Sequence, residues 1–346
     1  FIVGGCGFIS SPVLDNADKQ VVSDSPINEQ IVDEQDGGGK TEADDGSANS
    51  PKEENTATGN EARGQVTYTE SIRLRVSQNF GQDIIFNQAI PLKNDDDLLK
   101  IMQDNLELDT SYGGSFISGI NGIKMKSGAG RSDWFLYING IASHTGLRDY
   151  VLNDKDEIYW DYHRWNPSST NNAIIGAYPA PFLGGYRGNN NPTSILHDET
   201  SANLVYDLAA SLEKLGVKVN LNNISAGIKN EPTIVIGTWD NLVANQTLYD
   251  LNKGYKRNGM NVHFTSGGLE LLDYKGQVAG KGTDKSAVIV AWGRALGDAN
   301  PLWLIVGTDE SGLQKAVNTL INNPENIQGL YGVAILPQGN IALPLK

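Results

Sequence analysis

The stretch from Tyr112 to Trp165 constrains the fold more than any other part of this 346-residue chain. Its apolar and polar residues alternate in short runs separated by turns, which is the pattern of half-buried β-strands. The run Trp134–Ile138 leads into Asn139-Gly140, a dipeptide that favours a two-residue hairpin turn because both positions tolerate positive φ. Another strand is predicted at Glu157–Tyr162. The stretch therefore predicts a compact β unit.

The same stretch carries the motifs of a known family. Gly114 to Gly122 reads Gly-x-(aromatic)-Ile-x-x-Ile-x-Gly, and the aromatic-led strand at Trp134 follows it. Further along come Gly146 and Tyr150, and then the motif Asp156-x-Ile-x-Trp. In this order the chain resembles the carboxy-terminal β-domain of intrinsic factor and transcobalamin, which bacterial surface proteins also carry. The resemblance extends from Thr67 to Trp165.

The resemblance implies a ubiquitin-like β-grasp fold and, in the vertebrate relatives, contact with the face of a corrin ring. Nothing in the sequence resembles the helical barrel that forms the other half of the vertebrate clamp. Matching the family's ligand-facing loops to this chain marks nine candidate ligand-binding residues: Ser115, Phe116, Arg131, Ser132, Asp133, Trp134, Ser143, His144 and Thr145. Phe116 and Trp134 would supply apolar contact area, and the hydroxyls and Asp133 would pair with amide groups of the ligand. A core position is an equally good interpretation of Trp134.

The length of the chain predicts two folded domains joined to a linker. We assign residues 1–64 to a lipoprotein signal remnant and an acidic disordered tether, residues 65–166 to the β-grasp domain, and residues 173–346 to an α/β domain. Between residues 9 and 64 there are thirteen Asp or Glu and four Lys or Arg, so this segment carries most of the net charge of −14. Such a composition buries too little apolar area to offset the entropy of ordering.

Cys6 is the only cysteine of the chain, which excludes an internal disulfide and a cysteine zinc site. The sequence Phe-Ile-Val-Gly-Gly-Cys at residues 1–6 is typical of the end of a bacterial lipoprotein signal peptide, whose cysteine becomes lipidated. An incidental or buried thiol is the alternative. We therefore expect an extracellular protein on a bacterial cell surface, held to the membrane only through a lipid anchor.

Strands and helices alternate in the second predicted domain. Strands are predicted at Ala173–Tyr178, Val217–Leu221, Thr233–Ile236, Ala287–Trp292, Leu302–Val306, Val333–Leu336 and Ile341–Leu343, and helices at Ser201–Leu215, Asn241–Lys253 and Thr308–Ile321. In the first domain, strands are predicted at Thr67–Val76 and Asp83–Phe86, and a helix at Asn94–Leu106 with Asn94 or Asp95 as its N-cap. The chain is thus expected to be α+β and then α/β, with a β-grasp domain followed by a layered α/β domain with a mostly parallel sheet. The segment from Asn300 to Val317 is similar to α/β modules of surface-layer proteins.

Composition and motifs exclude several functions. The net charge of −14 and the pI of about 4.7 oppose nucleic-acid binding, which needs a basic surface. The four histidines are dispersed, and the glycine-rich pieces lack the setting of a dinucleotide site or a P-loop. No Gly-x-Ser-x-Gly motif is present. We therefore expect no enzymatic activity, no catalytic cofactor and no metal site.

Two functions remain open. In the first, the protein is a surface lipoprotein that captures cobalamin, another corrinoid or another flat organic molecule between the β-grasp turns and the α/β domain. In the second, it is a structural or adhesive surface protein that self-assembles into a surface layer or a filament. The second interpretation draws on four tryptophans that look exposed: Trp165, Trp239, Trp292 and Trp303. Two of them lie inside apolar runs, which predicts burial and weakens this interpretation. The family resemblance is the more specific observation and favours ligand binding.

Overall fold

The structure is a computed structural model that describes residues 70–114, 116–128, 130–166, 169–189, 191–266 and 268–346. The predicted tether, Cys6 and Ser115 lie outside these residues. The described residues all belong to one compact unit, Gln65–Lys346. Within the ranges described, no helix has the length and hydropathy required to cross a membrane.

The elements fall into two groups along the chain. The first group comprises β1 (Ser71–Gln78), β2 (Asp83–Pro91), α1 (Leu98–Asn105), β3 (Leu108–Ser111), β4 (Phe116–Ile120), β5 (Ile123–Lys124), β6 (Ser132–Ile138), β7 (Ile141–Ala142) and β8 (Glu157–Arg164). The second group comprises α2 (Ala180–Leu183), β9 (Thr193–His197), α3 (Ala202–Lys214), β10 (Val219–Asn223), β11 (Thr233–Thr238), α4 (Trp239–Leu242), α5 (Gln246–Lys253), β12 (Val262–Thr265), β13 (Gly268–Leu272), β14 (Val278–Gly282), β15 (Ala287–Trp292), β16 (Leu302–Gly307), α6 (Glu310–Asn322), β17 (Gly332–Leu336) and β18 (Gly339–Leu343). The protein is therefore a mixed α and β protein with several sheets and few helices.

A five-stranded sheet with the order β2-β1-β8-β6-β7 organises the first group. Its β1 pairs antiparallel with β2 and parallel with β8. Ile72, Leu74 and Val76 are buried on one face, in the same hydrophobic cluster as the apolar residues of α1, which agrees with the strand predicted at Thr67–Val76. Helix α1 begins at Leu98 rather than near Asn94. Its N-cap is Asp97, because this is the carboxylate that accepts the free N–H of Lys100.

A seven-stranded sheet with the order β10-β9-β11-β16-β15-β17-β18 organises the second group. The three pairs from β10 to β16 are parallel, and the three pairs from β16 to β18 are antiparallel. The expected mostly parallel sheet is therefore found in one half only. Short connections between β15 and β16 and between β17 and β18 reverse the chain without a crossover, and this requires antiparallel pairing.

Both faces of the seven-stranded sheet are covered. Along β16, Trp303 and Ile305 lie in the cluster that contains the apolar residues of α3 and α6, and Leu304 lies in the cluster that contains those of the β12-β13-β14 sheet. All three side chains are buried, which confirms that the apolar run is a strand covered on both sides. Trp303 is buried, as its apolar run predicts, whereas the interpretation of Trp239 as exposed is wrong, because it too is buried.

Two predicted elements of the second group differ in the structure, and four strands of this group were not predicted. Ala173–Tyr178 is not a strand: only Ala173 forms a bridge, to Ile141, and a turn follows. The predicted helix Asn241–Lys253 is divided into α4 and α5, because the Asn245 side chain accepts the N–H of Leu248 and starts a new helix. Strand β9 and the β12-β13-β14 sheet were not predicted.

Three glycines, Gly81, Gly176 and Gly329, meet where the five-stranded sheet contacts the second group; we refer to them as the glycine junction. A Cβ atom on Gly176 would lie 2.5 Å from the backbone of Gly329, and one on Gly81 would lie 1.7 Å from the Gly329 carbonyl oxygen. The Tyr159 hydroxyl donates to the same oxygen at 2.7 Å. Nearby, Arg75 is buried, and this burial lowers the pKa of its guanidinium. The two groups of elements therefore touch through their main chains.

We expect Gly176→Ala to lower the free energy of unfolding by about 1–3 kcal/mol, because the added methyl group meets main-chain atoms that cannot move independently. Urea unfolding followed by circular dichroism measures this change. Gly184→Ala is the matched control, since its nearest neighbour is the Asn139 Nδ2 atom at 3.8 Å and, like Gly176, it lies outside the left-handed φ region. Equal stability of the two variants would contradict the close approach at the glycine junction.

Candidate ligand-binding site

A cavity of about 360 Å³ lies beside the five-stranded sheet. Residues of strands β6 and β8 line the cavity. The remaining lining residues are Phe116 and Ile117 of β4, residues of the segments 142–147 and 169–172, Trp165, and Leu296. The lining is largely apolar and contains no Asp, Glu, Lys or Arg. Its volume lies near the lower end of the range for small-molecule pockets, about 300–1,000 Å³. It therefore suits a ligand with one or two rings, or one edge of a larger molecule.

Four of the nine predicted ligand-binding residues line this cavity. Phe116 is 43% exposed. Trp134 is buried, its Nε1 donates to the Ile123 carbonyl at 3.0 Å, and its ring packs 5.2 Å from that of Tyr162. Trp134 is thus at once a core residue and part of the wall, so the two interpretations of it are compatible. Ser143 and Thr145 are the other two.

Four predicted residues lie elsewhere. Arg131 stacks over the Trp165 ring at 5.2 Å and lines a separate groove. Ser132 is buried at the start of β6, and Asp133 accepts a hydrogen bond from the Trp165 indole. His144 is exposed and does not line the cavity. The ninth residue, Ser115, lies outside the described part of the chain.

The loop of residues 143–145 is held in place by Tyr186, a buried side chain of the second group. Its hydroxyl lies 3.1 Å from Ser143 Oγ, 3.2 Å from Thr145 Oγ1 and 3.3 Å from His144 Nδ1. The three polar side chains of this loop are therefore engaged within the protein. These contacts fix this part of the cavity wall, and the predicted pairing of the Ser143 and Thr145 hydroxyls with a ligand stays a prediction.

Trp160 is a cavity residue that the sequence did not mark as functional. It is 6% exposed, and its indole Nε1 is buried without a hydrogen-bond partner. A buried donor without a partner costs about 1–3 kcal/mol. The alternation of Ile158, Trp160 and Tyr162 was visible in the sequence but indicated only a half-buried strand.

A buried carboxylate, Asp161, lies behind the cavity wall. It accepts from the main-chain N–H groups of Phe80 and Gly81, both at 3.0 Å, from the Ser77 hydroxyl, and from Nδ1 of His163 at 2.7 Å. The His163 ring lines the cavity and stacks on that of Phe135. This network satisfies Asp161 and fixes the imidazole as part of the wall. Across the described ranges, no group of three or more His, Cys, Asp or Glu is arranged to hold a metal ion.

The Asn139-Gly140 turn between β6 and β7 is confirmed, with φ of 49° and 77°. The Asn139 side chain donates to Asp156 and to the Gly185 carbonyl, both at 2.7 Å. Asp156 also accepts from the Tyr150 hydroxyl at 3.0 Å. Burial raises the pKa of the Asp156 carboxyl, and these hydrogen bonds offset part of the rise. The turn is thus fixed to β8 and to the second group of elements at one buried carboxyl.

We expect the stability contribution of Asp156 to decrease as pH rises. Its folded-state pKa lies above the ordinary value of 3.8, so the folded protein holds this proton more tightly than the unfolded chain. The contribution is complete below that ordinary value and is lost as pH rises through the raised pKa. Asp156→Asn does not titrate and serves as the reference. Urea unfolding at several pH values from about 3.5 to 7 should show the wild type losing stability relative to the variant; a constant difference would contradict the raised pKa.

Comparisons with known proteins find similarity in the first group of elements. Residues 95–164 match the model of a family described as a domain of unknown function (DUF4430). This match covers fewer than half of the residues of the chain. No curated protein matches the chain.

Two solved structures are similar to part of the chain. Haptocorrin in complex with Cbi is 15% identical with a TM-score of 0.24, and the match covers 28% of this chain and 26% of haptocorrin. A protein from Ruminococcus gnavus ATCC 29149 to which metal binding has been ascribed is 13% identical with a TM-score of 0.23, covering 28% of this chain and 99% of that protein. Similarities this weak assign no ligand, and neither bears on the predicted surface-layer resemblance of the segment from Asn300 to Val317. The chain is thus similar, over residues 95–164, to a family whose description gives no function.

Proposed function

We propose that this protein binds a small, largely apolar organic molecule in the cavity beside β6 and has no catalytic role there. The observation that carries the proposal is the lining of the cavity, which combines the aromatic side chains of Phe116, Trp134 and Trp160 with no Asp, Glu, Lys or Arg. Pockets for small molecules combine apolar walls with a few polar groups that orient the ligand. The cavity has this composition.

The opening of the cavity supports the same function. Phe116 and Leu296 both line it and are 43% and 57% exposed. Large apolar side chains left partly exposed at the edge of a concave surface gain burial when a ligand binds. A ligand in the cavity would therefore bury both side chains.

A corrinoid is the specific ligand that the family resemblance implies. A complete corrinoid is larger than a cavity of about 360 Å³, so only one edge of the ring would enter, with the remainder resting on Phe116 and Leu296. Capture of such a ligand at a bacterial cell surface through a lipidated Cys6 is the most detailed form of the proposal. Cys6 and the tether lie outside the described residues and remain predictions.

The structural or adhesive interpretation has one supporting feature. Strand β2 ends the five-stranded sheet and pairs only with β1 among the described strands. Its Ile84 is 52% exposed. A free strand edge with apolar side chains can accept a strand from another chain. Under this interpretation the chain self-associates and the cavity has no ligand.

A dye titration tests the ligand proposal. We expect the uncharged fluorescent probe N-phenyl-1-naphthylamine to bind the full chain, and Phe116→Ala and Leu296→Ala each to weaken binding about threefold to tenfold because each removes apolar contact area. Ile84→Ala is the matched control, an equally exposed apolar side chain on β2, and should leave the affinity unchanged. Cyanocobalamin, followed by its absorbance after desalting, tests the corrinoid form.

Three outcomes decide between the functions. Weaker dye binding in both Phe116→Ala and Leu296→Ala, with Ile84→Ala unchanged, supports ligand binding in the cavity. Retained corrinoid absorbance that both variants lose supports the corrinoid form. Dye binding that responds equally to all three substitutions, or no binding together with concentration-dependent light scattering, would contradict ligand binding and favour self-assembly.

A further inference from the structure

Strand β6 has a free edge inside the cavity. Its outer neighbour β7 pairs only with Tyr137 and Ile138, and at the other end Ser132 bridges Lys126. Between these two contacts, no other described strand is hydrogen-bonded to this side of β6. The cavity lies against this part of β6, from Trp134 to Leu136, which we call the β6 gap.

Hydrogen bonds at both ends show which main-chain groups face the β6 gap. Ser132 exchanges N–H···O bonds of 3.1 and 2.9 Å with Lys126, and the Leu136 carbonyl accepts from Ser143 N at 2.8 Å. Because alternate residues of a strand direct their main-chain groups to the same side, the N–H and C=O of Trp134 and the N–H of Leu136 also face it. None of these three groups has a hydrogen-bond partner among the described residues.

We propose that the β6 gap binds an N-acylated dipeptide, or the acylated start of a longer peptide, in an antiparallel arrangement. This inference rests on the proposed function, because it concerns the same cavity, and it names a ligand class other than a corrinoid. The existing neighbours of β6 on this side, β7 and Lys126, both pair antiparallel. A peptide in the gap continues that arrangement.

The unpaired main-chain groups of Trp134 and Leu136 determine which donors and acceptors the ligand must carry. In an antiparallel ladder, the residue opposite Trp134 donates its N–H to the Trp134 carbonyl and accepts from the Trp134 N–H. The carbonyl two residues earlier in the ligand accepts from the Leu136 N–H. No N–H is needed at that earlier position, because the Leu136 carbonyl already accepts from Ser143. An acyl group satisfies this position without leaving an unpaired donor.

The residues that line the cavity determine the charge and polarity of the ligand that it can bind. No Asp, Glu, Lys or Arg lines it, so a peptide with a free amino group or carboxylate would bury an uncompensated charge. Trp160 and Phe116 offer aromatic surfaces to an apolar side chain. The ligand class is therefore a neutral, capped and apolar peptide.

Nuclear magnetic resonance on the ¹⁵N-labelled full chain tests the inference, with N-acetyl-leucyl-phenylalanine amide as the probe. We expect the amide resonances of Trp134 and Leu136 to shift on binding more than those of Phe135 and Tyr137, whose N–H groups face β8. Replacing the phenylalanine N–H of the probe by an ester oxygen removes the donor to Trp134 and should weaken binding about tenfold. The same replacement at the leucine N–H, which faces away from β6, is the control and should change the affinity less than about twofold.

Equal weakening by the two esters, or unchanged Trp134 and Leu136 resonances at millimolar probe, would overturn the inference. Its failure is distinguishable from failure of the proposed function. If the dye binds in a manner sensitive to Phe116→Ala and Leu296→Ala but the peptide does not bind, the cavity retains its function and only the peptide inference is lost. If neither binds, both are lost.

Discussion

The close approach at the glycine junction is the constraint on which the rest of the structure depends. Gly81, Gly176 and Gly329 bring main-chain atoms of the five-stranded sheet and of the second group of elements into direct contact. A side chain at Gly81 or Gly329 would separate these surfaces, and one at Gly176 would displace Gly329. The contact buries Arg75 and Tyr159 and gives the Tyr159 hydroxyl its acceptor. The hydrophobic clusters show the same continuity, because the largest contains residues of both sheets.

The cavity lies where the five-stranded sheet and the second group of elements pack less closely than at the glycine junction. The segment after β8 leads to Ala173, which bridges Ile141 of β7. Two residues of the second group contribute to the cavity. Tyr186 is hydrogen-bonded to the loop of residues 143–145, and Leu296 lines the cavity directly. Strand β7 is only two residues long, so the edge of β6 beyond it has no neighbour among the described strands. The protein thus packs closely at the glycine junction and leaves polar main-chain groups open a short distance along the same sheet. Proteins otherwise pair such groups almost without exception, and this is why the open edge points to a ligand.

Local pattern predicted the local structure. The positive φ angles of Asn139 and Gly140 and the buried face of β1 were readable because each depends on residues next to one another in sequence. The double coverage of β16 was readable from its uninterrupted apolar run. Ala173–Tyr178 is not a strand, although its apolar residues are buried in the hydrophobic clusters. A short apolar run in a sequence indicates burial but does not distinguish a buried turn from a strand.

The site was predicted only in part. The family resemblance located Phe116, Trp134, Ser143 and Thr145, which line the cavity. It did not find Leu296, which approaches from the second group and lies far away in sequence. It also placed Arg131 and Asp133 with the ligand, although both interact with Trp165. The indole N–H of Trp160 without a hydrogen-bond partner and the open edge of β6 both result from three-dimensional packing. Neither can be predicted from the spacing of residues in the sequence.

Amide hydrogen exchange of the free wild-type protein tests the central claim most directly, because it needs no ligand and no substitution. We predict that amide exchange rates alternate along β6. The amides of Trp134 and Leu136 should exchange about tenfold or more faster than those of Phe135 and Tyr137, which face β8. Equal protection of all four amides would contradict the account, because it would show that the edge of β6 is already paired and that the cavity offers a ligand no main-chain groups.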